Sequence, residues 1–296
     1  APTVVLSVLL MTILLGGFAA WRVPAVAGWA AAGWVLLLRP VERVAVRVVF
    51  GFRAAAGPDA EWLRWLRAGT EQRSGVSADS FDWYVYADPQ PTALAAGRRS
   101  IAVTSGFLQL VSCGGLADVQ AVAVLLHEVG HHVTGGNRYG LVLRWLCLPW
   151  EVVYRLLMRL GGALPFARAG LLLFPALFPI AFVNVAREDA PAEQVVPVLV
   201  VLVAVALAVF VHPVADAALR RSTELAADGY VLRLGAGTYL AAALQVMASG
   251  GHLNPYGRLR STHPSTMARR RRLTGSSNPQ RRAGSRPDRC HVGVAA

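Results

Sequence analysis

The sequence predicts a mainly α-helical membrane protein, with four spans in two hairpins and a cytoplasmic α+β body that carries a small sheet. Three observations predict it. The chain of 296 residues is 55% hydrophobic and 16% charged, with a mean hydropathy of +0.45, which is too apolar for an ordinary soluble domain. Four uncharged runs approach the roughly 20 residues that a span needs, and about 17 suffice. The net charge of +12 comes from arginine alone, since there is no lysine, and the arginines are distributed asymmetrically about the apolar runs.

The first hairpin occupies residues 1–38. Val4 to Ala20 and Val23 to Leu38 are uncharged, separated only by Trp21-Arg22, with Trp21, Trp29 and Trp34 as interface anchors. A signal peptide would begin with a basic segment, and none precedes Val4; a second apolar run also follows at once. The second hairpin is expected at 161–212. Ala169 to Val185 contains Pro175 and Pro179 and reads as a kinked helix, and Val195 to Val211 is the cleanest span. An acidic turn at 187–193 joins them.

Leu141 to Leu160 reads differently. Arg144, Glu151, Arg155 and Arg159 share one helical face among apolar neighbours, which fits a helix lying in the membrane interface. Arg39, Arg43 and Arg47 form a similar stripe. The hairpin turns hold only Arg22 and Arg187, so positive-inside bias places residues 39–160 and 212–296 in the cytoplasm. Within that body, residues 59–67 read as a helix behind Gly57-Pro58, and 81–86 and 100–104 as strands. Residues 274–296 read as a disordered basic tail. Cys113, Cys147 and Cys290 have neither disulfide nor metal spacing.

Chemistry concentrates at residues 121–136, AVAVLLHEVGHHVTGG. His127, Glu128 and His131 match H-E-x-x-H; on a helix, residues four apart share a face, so two imidazoles can converge on one zinc ion. Glu128 can then serve as general base toward a water. Unpaired ionisable groups in so apolar a run would be costly, which favours the metal reading over an accidental one. His132 stands five residues from His127, off the metal face, and has no ligand role. Catalytic zinc takes three protein ligands. Glu224 and Asp228, one turn apart in residues 220–230, offer a third ligand and a partner for a histidine's second nitrogen; the alternative is a solvated acidic face.

Taken in order, these pieces resemble the HtpX and CAAX-prenyl-endopeptidase group of integral-membrane zinc metalloproteases, which have a zincin-like fold. Residues 91–95, ProThrAlaLeuAla, are similar to that group's P-N-A-F-A, and 101–108 to its strand-to-helix entry. The His127–His131 motif follows, then a hairpin, then Arg221-x-x-Glu224-x-x-Ala227-Asp228, and finally SerThrHisPro at 261–264. The resemblance covers roughly residues 60–272. It implies that His127, His131 and Glu224 bind one zinc ion, that Glu128 is the catalytic base, and that Asp228 and Arg221 support the ligands. His263 would lie near the site, stabilising an oxyanion or gating access. The sequence departs from the group's pattern at Thr92 and Leu94, and at Gly136, where an acid often stands.

The strand containing Ile101, Ala102, Val103 and Thr104 is expected to bind substrate as an edge strand does, through main-chain hydrogen bonds with little side-chain reading. Such a site suits unfolded or damaged membrane proteins at the cytoplasmic face. A protease cutting one regulatory partner and a metal-free scaffold on anionic lipid are the competing readings. SerThrHisPro speaks against the first, and the intact His127, Glu128, His131 and Glu224 against the second. The expected partners are protein substrates and the bilayer. No specific nucleic acid is expected, because Arg269–Arg272 and the tail read as solvated or lipid-facing charge.

Overall fold

The computed structural model describes residues 2–15, 19–163, 212–247 and 266–275. Its elements run α1 (Pro2–Leu14), α2 (Ala19–Trp34), α3 (Arg39–Phe50), α4 (Pro58–Ser74), β1 (Asp82–Tyr86), β2 (Ala93–Ala96) and β3 (Ser100–Thr104). Then follow α5 (Ser105–Ser112), α6 (Asp118–Val133), α7 (Gly140–Ala163), α8 (His212–Arg233), α9 (Gly237–Met247) and α10 (Thr266–Gly275).

The apolar character of α6 is that of a core helix. Every residue from Ala121 to His131 is buried, because α4, α8, α9 and β2 pack around it. Its first turn is closed by Gln120, whose side-chain oxygen accepts from the Ala117 N–H at 3.1 Å, and Asp118 faces the positive end of the helix. Leu66, Ile101, Phe107, Leu125, Leu126 and Leu240 are among the fully buried side chains of this core.

The sheet has the order β1-β3-β2. β1 runs parallel to β3, with Asp82 opposite Ser100 and Tyr86 opposite Thr104; β2 runs antiparallel, with Ala93 opposite Val103 and Ala96 opposite Ser100. Ile101, Ala102, Val103 and Thr104 therefore lie in the central strand, buried on both faces, and are not an edge strand. The expectation fails because β2, AlaLeuAlaAla, has no β-branched or aromatic residue to mark it as a strand. Once β2 is paired, both sides of β3 are occupied. On the outer side of β1, Arg53 exchanges two backbone hydrogen bonds with Val85, at 2.9 and 2.8 Å. The open edge among the described residues is that of β2.

A buried carboxylate ties α3 to this sheet. One oxygen of Glu42 accepts from the Arg98 N–H (2.9 Å), the Arg99 N–H (2.8 Å) and the Ser100 hydroxyl (3.1 Å). These groups belong to the β2–β3 turn. Gly97 enters that turn at φ +59°, and a Cβ there would lie 2.6 Å from the same Glu42 oxygen, so both backbone angle and space require glycine. On the neighbouring turn, Arg39 and Arg43 both clasp Asp82, at 2.9 and 2.7 Å.

Among the described residues no single helix is long and apolar enough to cross a membrane. Val23–Leu37 and Arg39–Phe50 meet that test only together, and they are bent by 98° at Leu38. The run expected as the first span is divided between α1 and α2. The helix expected at 141–160 forms as α7, and α1 packs along it through Leu6 and Trp150. Next to Pro149, the Trp150 N–H donates to the buried Ser7 hydroxyl at 3.3 Å. The second expected hairpin and the tail after Gly275 lie outside the described residues.

Candidate active site

The α6–α8 contact assembles the site, and Gly130 permits it. A Cβ on Gly130 would sit 3.1 Å from the Ala227 carbonyl oxygen and 3.2 Å from its Cα, so the two backbones meet with no side chain between them. That approach brings Glu224 and Asp228 on α8 up to the two histidines on α6. His127 Nε2 lies 3.4 Å from one Glu224 oxygen, and His131 Nε2 lies 3.5 Å from the other. One donor atom from each of the three residues fits within a mutual distance of 4.8 Å.

These separations, which reach different Glu224 oxygens, are long for hydrogen bonds and near those between ligands of one ion. Donors held about 2.0–2.2 Å from a tetrahedral zinc stand about 3.3–3.6 Å apart. His127 Nδ1 faces Asp228 at 3.0 Å, which leaves Nε2 for the metal and fixes the ring. The imidazole rings of His127 and His131 stand nearly perpendicular, 4.7 Å apart. His131 Nδ1 is buried without a partner among the described residues. The three residues fit a zinc ion.

Charges in the site are strongly coupled. Burial works against a cationic His127, yet its contacts with Asp228 and Glu224 prevail and push its pKa up to about 9. Burial raises the Glu128 carboxyl, while His127, His131 and the Ala95 backbone pull it back. Burial would raise Asp228 as well, but His127 and Arg269 hold it below the usual carboxylate range.

Arg269 is the residue that sequence reasoning missed. It was expected within a solvated or lipid-facing run, but it is buried and grips Asp228 with both arms of its guanidinium, at 2.6 and 2.9 Å. Another nitrogen lies 3.4 Å from Glu224. Its three successors, Arg270 to Arg272, are exposed as expected. The available signal was Leu273, four residues on and fully buried, which places Arg269 on the inward face of α10. Arg221, by contrast, is only half-buried and does not line the cavity. His263 lies outside the described residues. His132 points away from the zinc ligands, its Nε2 meeting the Ser100 carbonyl at 3.2 Å.

The site opens into a cavity of about 320 Å³. One wall is β2, with Thr92, Ala93, Leu94 and Ala95; the other is α8, with Arg220 and Thr223. Asn137 secures the β2 wall, donating to the Ala95 carbonyl at 2.9 Å. The outer edge of β2, with no further strand against it among the described residues, thus runs directly past the candidate zinc ligands and Glu128, and Ala95 on it is engaged by Asn137 and Glu128.

The sequence profile of peptidase family M48 matches residues 59–277. No curated protein sequence matches the chain. Among solved structures, the crystal structure of Ste24p from S. mikatae is similar, with a TM-score of 0.47 and 15% identity over 90% of this chain. The chain spans 61% of the length of that structure.

Proposed function

The chain belongs to peptidase family M48, the metallopeptidase family of HtpX and Ste24, and from that premise we propose that it is a zinc endopeptidase acting on unfolded segments of membrane proteins at the cytoplasmic face. One observation carries the reading: His127, His131 and Glu224 present donors at zinc spacing, with Glu128 beside them, along an open sheet edge. His127, His131 and Glu224 would hold the ion. When bound, zinc supplies Lewis acidity, which acidifies water toward a pKa of about 7 and polarises a peptide carbonyl.

The chain's own residues do the rest. An extended substrate aligns on β2 as a further strand, its main chain read by the outer edge and its side chains scarcely read. Glu128, raised by its burial, takes up a proton from water and returns it to the leaving amine. Asp228 orients His127, and Arg269 keeps Asp228 ionised and in place. Membrane attachment and the cytoplasmic side rest on the apolar runs and the arginine asymmetry.

Glu128→Gln separates metal binding from catalysis. The purified variant should keep about one zinc per chain while cleavage of a chemically unfolded reporter falls by several orders of magnitude. The folded form of the reporter should resist the wild type. Wild-type turnover by the variant, or equal cleavage of both reporter forms, would overturn the corresponding part of the reading.

A further inference from the structure

A second cavity, of about 280 Å³, shares no lining residue with the active-site cavity. Phe81 and His132 wall it, and Arg98, Arg99, Arg138 and the Ser80 hydroxyl stand around it. No carboxylate lines it. Acids adjoining the lining residues are engaged elsewhere: Glu42 by the backbone of the β2–β3 turn, Asp82 by Arg39 and Arg43, and the exposed Asp79 by Arg67. Among the described residues none of the three cavity arginines has an ion-pair partner; Arg138 only stacks on Tyr139, at 5.4 Å. Arg99 is half-buried and Arg98 and Arg138 are exposed; three arginines lining one opening without an acid among them concentrate positive potential, and the planar guanidinium fork matches the oxygens of a phosphate.

The position of the cavity points to a source. Tyr139 makes an edge-on contact with Trp34 at the end of α2, and Trp145 donates to the Trp29 carbonyl at 2.9 Å. The loop bearing Arg138 is therefore seated against the end of the first apolar hairpin, where the basic α3 begins. We propose that this cavity binds a phosphate-bearing anion, the chemistry shared by an anionic lipid headgroup and free phosphate. Such an anion would bridge Arg98 and Arg99, on the β2–β3 turn, to Arg138. Asn137, the neighbour of Arg138, holds the Ala95 carbonyl of β2. Occupancy would thus fasten the C-terminal end of the strand along which substrate aligns. The effect on β2 rests on the peptidase reading; the binding does not.

Thermal melting of the full-length, detergent-solubilised protein tests the binding without relying on catalysis. The probes are short-chain phosphatidylglycerol, short-chain phosphatidylcholine, inorganic phosphate, and sodium chloride at matched ionic strength. Phosphatidylglycerol or phosphate should raise Tm saturably, while phosphatidylcholine and chloride should not. A lower half-saturating concentration for phosphatidylglycerol identifies a lipid source; an equal or lower one for inorganic phosphate identifies a soluble ion. Replacing Arg98, Arg99 and Arg138 by Gln should raise that concentration at least tenfold, whereas replacing the exposed Arg270, Arg271 and Arg272 by Gln should leave it within twofold. Arg138→Gln alone should raise it severalfold should the triple variant not fold. Glu128→Gln should respond as wild type does, so a failed peptidase assignment leaves this result standing. No saturable shift with any probe, or wild-type response from the cavity variants, would overturn the proposal.

Discussion

Asp228 and Arg269 are 41 residues apart in sequence and joined by two charge-assisted hydrogen bonds in the core of the site. Removing the arginine would leave a buried carboxylate without its cation, a loss that typically costs about 3–5 kcal/mol. Arg269→Met should therefore lower Tm clearly and weaken zinc binding about 10 to 100-fold, as the loss of a partner to a metal ligand does. Arg269→Lys should fall between, because it keeps the charge but loses the fork. Calorimetry and competition with a chelator check both; wild-type values in Arg269→Met would remove Arg269 from the site's support. Asp82 gives a pH dependence. Its burial raises the pKa, but the bonds from Arg43 and Arg39 outweigh that and bring it from 3.8 to about 2. A folded value below the unfolded one means that the stabilisation is present above about pH 4 and is lost as pH falls toward 2. The stability difference between wild type and Asp82→Asn should accordingly shrink between pH 5 and 2.5; a constant difference would show that the two arginine contacts contribute nothing. The same contrast explains what could be read at this scale. His127, Glu128, His131, Glu224 and Asp228 announce themselves by spacing within one or two helical turns. Arg269 owes its role to a fold-level contact, and it looked like its exposed neighbours.

At the scale of elements, the site depends on how closely α8 approaches α6. Gly130→Ala should gain about 1 kcal/mol in helix propensity, yet crowding a packed contact costs about 1–3 kcal/mol. We expect a net loss of stability together with weaker zinc binding, because Ala227, Glu224 and Asp228 are displaced as one helix. A more stable protein with unchanged zinc affinity would show that the interface yields without disturbing the ligands. α6 and β3 were legible because their apolar patterns are long or strongly β-forming. β2 was not: four small or flexible residues form a strand only because β3 offers them a ladder and Glu42 pins their turn. Missing it placed the expected edge on β3, one strand away from the outer edge of β2.

At the scale of the whole molecule, His131 and Glu224 lie 3.5 Å apart, so the expected membrane topology must place α6 and α8 on one side. Single cysteines at the exposed positions Val133 and Leu219, in a background without native cysteines, should both be shielded from an impermeant reagent in intact cells. Labelling at one and not the other would part the histidines from their carboxylate ligand. The four expected spans rest on runs of apolar composition alone, and the 98° bend at Leu38 falls where the second of those runs ends, just before Pro40. The order of contributions along the chain has one more consequence. Arg269 contacts His127 across 142 residues of sequence. Synthesis proceeds from the N-terminus, so α6 leaves the ribosome first, α8 later, and the guanidinium that secures Asp228 after both. The centre is thus completed only once α10 has been made, and neither α6 nor α8 carries an assembled site before then.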